Sequence, residues 1–165
     1  MKLIVRNKFA SLTGASVVED ENGNNLFKVK GKLKLFSPTR KKKVYDMQGN
    51  KLYTIRNKYF NFIFHSAYIY NENGEKIAKL KQRFSREASF MSEGEDFEDV
   101  YKIGKNPEGR GRVIFRNDEI IGIWRNTRIH FVDTFEVEYE KEENGSLIVA
   151  LMIAIDNIGD NILDD

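Results

Sequence analysis

Leu147-Ile148-Val149-Ala150-Leu151-Met152-Ile153-Ala154-Ile155 is a run of nine apolar residues in a chain that is 32% charged. A segment apolar all round needs apolar surroundings on every side. Asn144 and Ser146 are candidate N-caps before it, Asp156 and Asn157 are the first polar residues after it, and Gly159 offers a stop. The run therefore reads as a helix of about three turns. At ~1.5 Å per residue it is too short for a bilayer core of ~30 Å, so its shell has to be protein. The competing reading is a central strand, because Ile148, Val149, Ile153 and Ile155 are β-branched. Ala150, Leu151, Met152 and Ala154 favour the helix.

Upstream, after a short strand at Lys2 to Arg6, one pattern occurs three times: Val17-Val18-Glu19-Asp20-Glu21-Asn22-Gly23, Val44-Tyr45-Asp46-Met47-Gln48-Gly49 and Tyr68-Ile69-Tyr70-Asn71-Glu72-Asn73-Gly74. Each is a strand running into Asp or Asn, two residues, then Gly. An Asx side chain closes such a turn on backbone N–H groups, and Gly supplies the positive φ of the exit, so these are β-hairpins. Apolar residues resume after each glycine, and the Asx positions recur every 25 or 26 residues, the mark of a repeated two-stranded unit. A degenerate fourth unit runs from Val113 to Trp124. Leu33 to Phe36, Tyr59 to His65, Glu98 to Ile103 and Phe135 to Tyr139 add further strand patterns. In the last, Phe135, Val137 and Tyr139 face one way and Glu136, Glu138 and Glu140 the other.

About a dozen short antiparallel strands form either a sandwich or a closed barrel. A sandwich core is ~10 Å thick and filled by its own side chains, which leaves no room for a helix apolar on all sides. A wide barrel holds a helix of ~10 Å diameter along its axis. The expected fold is mainly β: a closed antiparallel barrel of about twelve strands around a buried C-terminal hydrophobic helix, one domain over residues 1–165. Burying nine such side chains is worth on the order of 15 kcal/mol before entropy.

The D-x-x-G turns at Asp20 to Gly23 and Asp46 to Gly49, the N-x-x-G copy at Asn71 to Gly74 and the terminal run to Asp156 resemble the LURP-one-related proteins, bacterial YxjI-type members included. That group is similar to the tubby C-terminal and phospholipid scramblase superfamily. The resemblance spans nearly the whole chain and implies the same tubby-like barrel. It also implies a functional expectation, because tubby domains bind phosphoinositides and scramblase-like members associate with membranes.

Composition bounds the chemistry. There is no cysteine, so disulfides, thiolate metal sites and cysteine nucleophiles are excluded, which suits a cytoplasmic protein. The opening residues show neither a signal peptide nor a membrane anchor, and no transmembrane segment is expected. The net charge of +2 conceals an asymmetry: residues 1–60 hold fourteen Lys or Arg against four Asp or Glu, whereas residues 133–165 hold one Lys against ten acids. Such polarity either sets a basic face against an acidic one or pairs the two halves across the fold.

Lys28, Lys30, Lys32 and Lys34 alternate with Phe27, Val29, Leu33 and Leu35, so this stretch is basic outside and apolar inside. Arg40, Lys41, Lys42 and Lys43 add four consecutive cations. These eight form the candidate anion-binding site, suited to phospholipid or phosphoinositide head groups on a peripheral membrane surface. The competing readings are lysines that guard a strand edge against aggregation, and a protein-interaction or structural domain with no lipid ligand. Nucleic acid is a weaker partner, since Tyr45, Tyr53, Tyr59 and Phe60 fall within strand patterns. No cofactor, metal or catalytic set is expected. His65 and His130 have no metal-ligand spacing, Ser85, Ser89 and Ser92 lack a nucleophile-elbow context, and Asp99, Asp133 and Glu136 read as surface acids. Gly104 to Gly111 reads as a turn and not a phosphate loop. Arg83 to Asp96 is a plug or flap at a barrel end.

Overall fold

The computed structural model describes residues 1–6, 15–32, 41–57, 66–82, 90–92, 97–107, 111–129 and 132–160. Twelve strands form one closed antiparallel barrel: β1 (Lys2–Arg6), β2 (Ala15–Asp20), β3 (Asn25–Lys32), β4 (Lys41–Asp46), β5 (Lys51–Asn57), β6 (Ser66–Tyr70), β7 (Lys76–Gln82), β8 (Phe90–Ser92), β9 (Tyr101–Lys105), β10 (Arg112–Arg116), β11 (Glu119–Ile129) and β12 (Val132–Glu138). Each strand pairs with the next, and β1 closes the ring on β12 from Lys2↔Glu138 to Arg6↔Thr134. A 3-10 turn (Glu142–Asn144) then leads into the helix α1 (Gly145–Asp160). The expected strands Leu33 to Phe36 and Tyr59 to His65 lie wholly outside the described residues, as do His130, Ser85 and Ser89 and most of Arg83 to Asp96.

The turns form as their residues dictate. At the second hairpin the Asp46 N–H donates to the Asn50 carbonyl (3.0 Å) and the Gly49 N–H to the Asp46 carbonyl (3.3 Å), with Gly49 at φ 94°. Asp46 Oδ1 accepts the Asn50 N–H (2.7 Å) and Oδ2 accepts the Asn50 side-chain amide (2.7 Å). This is a turn with a glycine bulge, and the register slips there, Val44 facing Tyr53 but Tyr45 facing Lys51. Asp20 and Asn71 close the first and third turns in the same way on Asn24 and Glu75. The degenerate fourth unit instead turns in two residues, Asn117 and Asp118, both at positive φ.

Because strands alternate, one set of side chains points at the helix: Val18, Val29, Val44, Ile55, Ile69, Leu80 and Ile103 are all fully or almost fully buried. Every apolar residue from Leu147 to Ile155 is buried too. The helix is not centred; it packs most closely on β5 and β6. Inward Ala67 and Ala78 allow that approach, and the larger Tyr101, Trp124 and Tyr139 are buried in the same core.

The helix ends at Asp160, beside the stop that Gly159 offers, and within it Asp156 Oδ2 meets the Lys42 Nζ at 3.1 Å from the wall. The lysine compensates a carboxylate that the helix carries into the barrel. One local expectation changes: β9 begins at Tyr101 and not at Glu98, since Asp99 is drawn into contacts with Arg116 and Asn117.

Two substitutions test the packing. Leu151→Ala, at a fully buried position, lowers stability by about 3 kcal/mol in urea titrations. Ile153→Asp places a carboxylate among apolar walls and abolishes cooperative unfolding by circular dichroism.

Candidate functional site

The eight sequence-predicted cations divide. Lys34 and Arg40 lie outside the described residues, and for Lys32 only the backbone is described. Register brings the rest of the outer set together: Lys28 faces Tyr45, Lys30 faces Lys43, and Lys32 faces Lys41, which in turn faces Arg56 on β5. Lys28, Lys30 and Arg56 are exposed and Lys43 is half-buried. Lys42 has the opposite parity. It points inward beside Val44 to Asp156, with the Lys42 side chain 13% exposed, and so leaves the basic face.

Strands β3 to β7 carry eleven Lys or Arg and a single acid, Asp46, which is spent on its own turn. Aromatic rings lie among the cations: Lys30 Nζ is 5.3 Å from the Tyr45 ring centre and the Arg56 guanidinium 5.2 Å from that of Tyr70. Elsewhere five cations are matched by acids. Lys2 meets Glu136 (2.7 Å), Lys102 meets Asp118 (2.6 Å), Arg125 meets Glu138 (2.5 Å), Arg116 meets Asp99 (2.7 Å) and Lys141 meets Glu119 (2.9 Å). Lys28, Lys30, Lys43 and Arg56 make no ion pair with any described acid. Edge protection does not account for them, because β3, β4 and β5 are each paired on both sides in a closed ring.

A second feature escaped the sequence. At the end of the barrel where the Asx turns lie, a cavity of about 430 Å³ opens beside the start of α1. Its floor is Tyr53, Tyr101, Phe97 and Leu147, and its rim holds Glu75, Glu98, Asp99 and Glu143 with Lys76 and Arg116. It exists because β8 is short. Among the described residues β8 pairs with β7 only from Leu80 to Gln82, and with β9 only at Ile103 and Lys102, so a notch separates the start of β7 from the start of β9. Arg116 holds the Asp99 carboxyl below the ordinary carboxylate value, with help from Asn117 and Tyr101 against a partial burial that acts the other way. Burial, and after it the Asp99 charge, pushes the Tyr101 hydroxyl well above the ordinary phenol value. At neutral pH the Asp99 carboxyl is therefore ionised and the Tyr101 hydroxyl neutral. Asp99, read as a surface acid, is thus 15% exposed and fully engaged, while Glu136 pairs with Lys2 on the barrel wall. No group of three or more His, Asp or Glu side chains poised for a metal occurs among the described residues, and no described helix is long and apolar enough to cross a membrane.

The family model for LURP-one-related proteins matches residues 1–156. The chain belongs to the LURP-one-related family. Among solved structures, an X-ray structure of an Arabidopsis thaliana protein is similar over 96% of this chain and 91% of that one, with a TM-score of 0.63. At 16% identity that likeness is one of fold. No curated protein matches. The LURP-one-related match takes in all twelve strands and α1 as far as Asp156, so the basic face and the turn-end cavity both belong to the family's domain.

Lys42→Met separates the roles of the lysine run. It lowers stability by about 2 kcal/mol in urea titrations, since it removes the cation facing a half-buried carboxylate, and leaves the outer cations Lys28, Lys30, Lys43 and Arg56 in place. Asp99 gives a pH signature. Its folded-state pKa is depressed, so the stability it lends is full above the ordinary carboxylate value and is lost as pH falls through the lower folded value. Asp99→Asn therefore costs about 1 kcal/mol at pH 6, after allowance for solvent screening. It also makes stability fall less than in the parent protein between pH 6 and pH 3.

Proposed function

We propose that this LURP-one-related domain is a non-enzymatic binding module that docks, through the outer face of β3, β4 and β5, on anionic phospholipid or phosphoinositide head groups. One observation carries the reading. Lys28, Lys30, Lys43 and Arg56 are gathered by register onto one outer surface without acids to neutralise them, whereas Lys2, Lys102, Arg116, Arg125 and Lys141 in the other half are ion-paired.

The chemistry favours a surface of phosphates over one carboxylate ligand. The cations lie on a convex barrel wall and not in a pocket, so several head groups can meet them at once, each through charge-assisted hydrogen bonds. Exposed Lys and Arg near an anionic membrane are worth about 1 kcal/mol each, and such attraction falls with salt. Tyr45 and Tyr70 suit the interfacial zone, where a ring with a polar tip lies between water and acyl chain. The attachment is peripheral.

Vesicle co-sedimentation tests this. The protein binds vesicles of phosphatidylcholine with 20% phosphatidylserine at low salt and releases them at high salt, and pure phosphatidylcholine vesicles retain none. The triple variant Lys28→Gln, Lys30→Gln, Arg56→Gln keeps its fold, because all three residues are exposed, and loses roughly two orders of magnitude in partitioning. No sedimentation with anionic vesicles at low salt, or full binding by the triple variant, refutes the proposal.

A further inference from the structure

The turn-end cavity is separate from the basic face and has the opposite charge. Four carboxylates (Glu75, Glu98, Asp99 and Glu143) stand around it against two cations, Lys76 and Arg116. The start of α1 adds the equivalent of roughly half a positive charge, too little to reverse the sign. Both cations are also occupied. Arg116 is bound to Asp99 at 2.7 Å, and Lys76 Nζ lies 5.6 Å from the centre of the Phe97 ring and 5.7 Å from that of Tyr68. An anion entering here would have to break the Arg116 pair and face three further carboxylates.

A cation leaves the Arg116 pair intact and competes only with the exposed Lys76 side chain at the Phe97 ring. The floor is aromatic and aliphatic, Tyr101 and Leu147 being almost wholly buried, and the volume falls within the range of small-molecule sites. The Phe97 face receives the protein's own ammonium from Lys76, an exposed side chain that a ligand amine displaces into water to take the same face. Glu98 and Glu143 are exposed at the mouth and make no described ion pair that a ligand would have to displace. We infer that the cavity between β7, β9 and the start of α1 binds a small organic cation, a protonated aliphatic amine whose hydrocarbon body lies on Phe97 and Tyr53 while its ammonium groups meet Glu98 and Glu143.

A monovalent or divalent metal ion would not use this site as an amine does. The carboxylates come from three segments around an apolar floor, and among the described residues no three of them converge as a coordination shell, whereas a polyamine spans the rim and covers the rings. The ligand class is therefore a flexible amine with more than one charge.

The probe is spermidine, titrated into the full chain in 50 mM salt and followed by the NMR resonances of its side chains. The shifts saturate at one site and converge on Tyr53, Phe97, Tyr101 and Leu147. Glu98→Gln and Glu143→Gln, both at exposed positions, each weaken binding about threefold, and Phe97→Ala weakens it about tenfold. Magnesium chloride at matched ionic strength leaves those resonances in place. The inference is overturned if the shifts fail to saturate and spread over the exposed acids of the barrel. It is equally overturned if magnesium reproduces them, or if neither Glu variant changes the affinity.

Discussion

A helix with no polar side has to be enclosed, and that one constraint sets most of this structure. Residues Leu147 to Ile155 have no water-compatible face, so the wall must surround them, and a ring of twelve strands is wide enough to do so. The ring need not be evenly filled. Alanines at 67 and 78 let α1 lean on β5 and β6, and bulky Tyr101 and Trp124 fill other parts of the core. Closure has a second effect on the outside. With no free edge, no strand needs charges to prevent pairing with other chains, and cations on β3 to β5 are left to other uses.

The imbalance of charge along the chain becomes an imbalance of charge around the molecule. The first strand, basic at Lys2, lies beside the last, acidic at Glu136, and Lys42 reaches α1 at Asp156, so part of the asymmetry is cancelled where the halves touch. What remains sorts by geometry. The side wall of β3 to β7 faces away from the acidic C-terminal strands and keeps its positive charge. The Asx turns, the β8 to β9 connection and the 3-10 turn before α1 all return at one end of the barrel, and that end collects carboxylates. A meander of hairpins carries such a separation naturally, because alternate connections fall at the same end.

The sequence made legible what is decided locally. The three Asx-x-x-Gly turns need only five residues each to close, so spacing and residue type suffice to place them, and alternation assigns Val137 and Tyr139 inward and Glu136 and Glu138 outward. The helix was legible for the same reason, its end included, since it stops at Asp160 beside Gly159. No local reading gives the partner of Asp156, a lysine 114 residues away in sequence. The cavity was illegible because its lining comes from β5, β7, the segment before β9, β10 and the start of α1, and no two of these are marked by spacing. Asp99 looked like one surface acid among many, and only the fold brings Arg116 and Asn117 to it.

The basic face shows how a run of charge should be read once the strand period is known. Lys41-Lys42-Lys43 counts as three cations along the chain, yet successive side chains of a strand leave by opposite faces, so the middle lysine serves the interior. A lysine run in a barrel wall is therefore only about half as basic on the surface as its composition suggests. The deficit is made up sideways: β3 sets Lys28 and Lys30, and β5 sets Arg56, a lone cation between Ile55 and Asn57 that no charge count along the chain would single out. Charge density on such a surface is a property of register between strands. Its sequence signature is the absence of acids across several successive strands, which here extends from β3 to β7 with Asp46 alone interrupting it, at a turn.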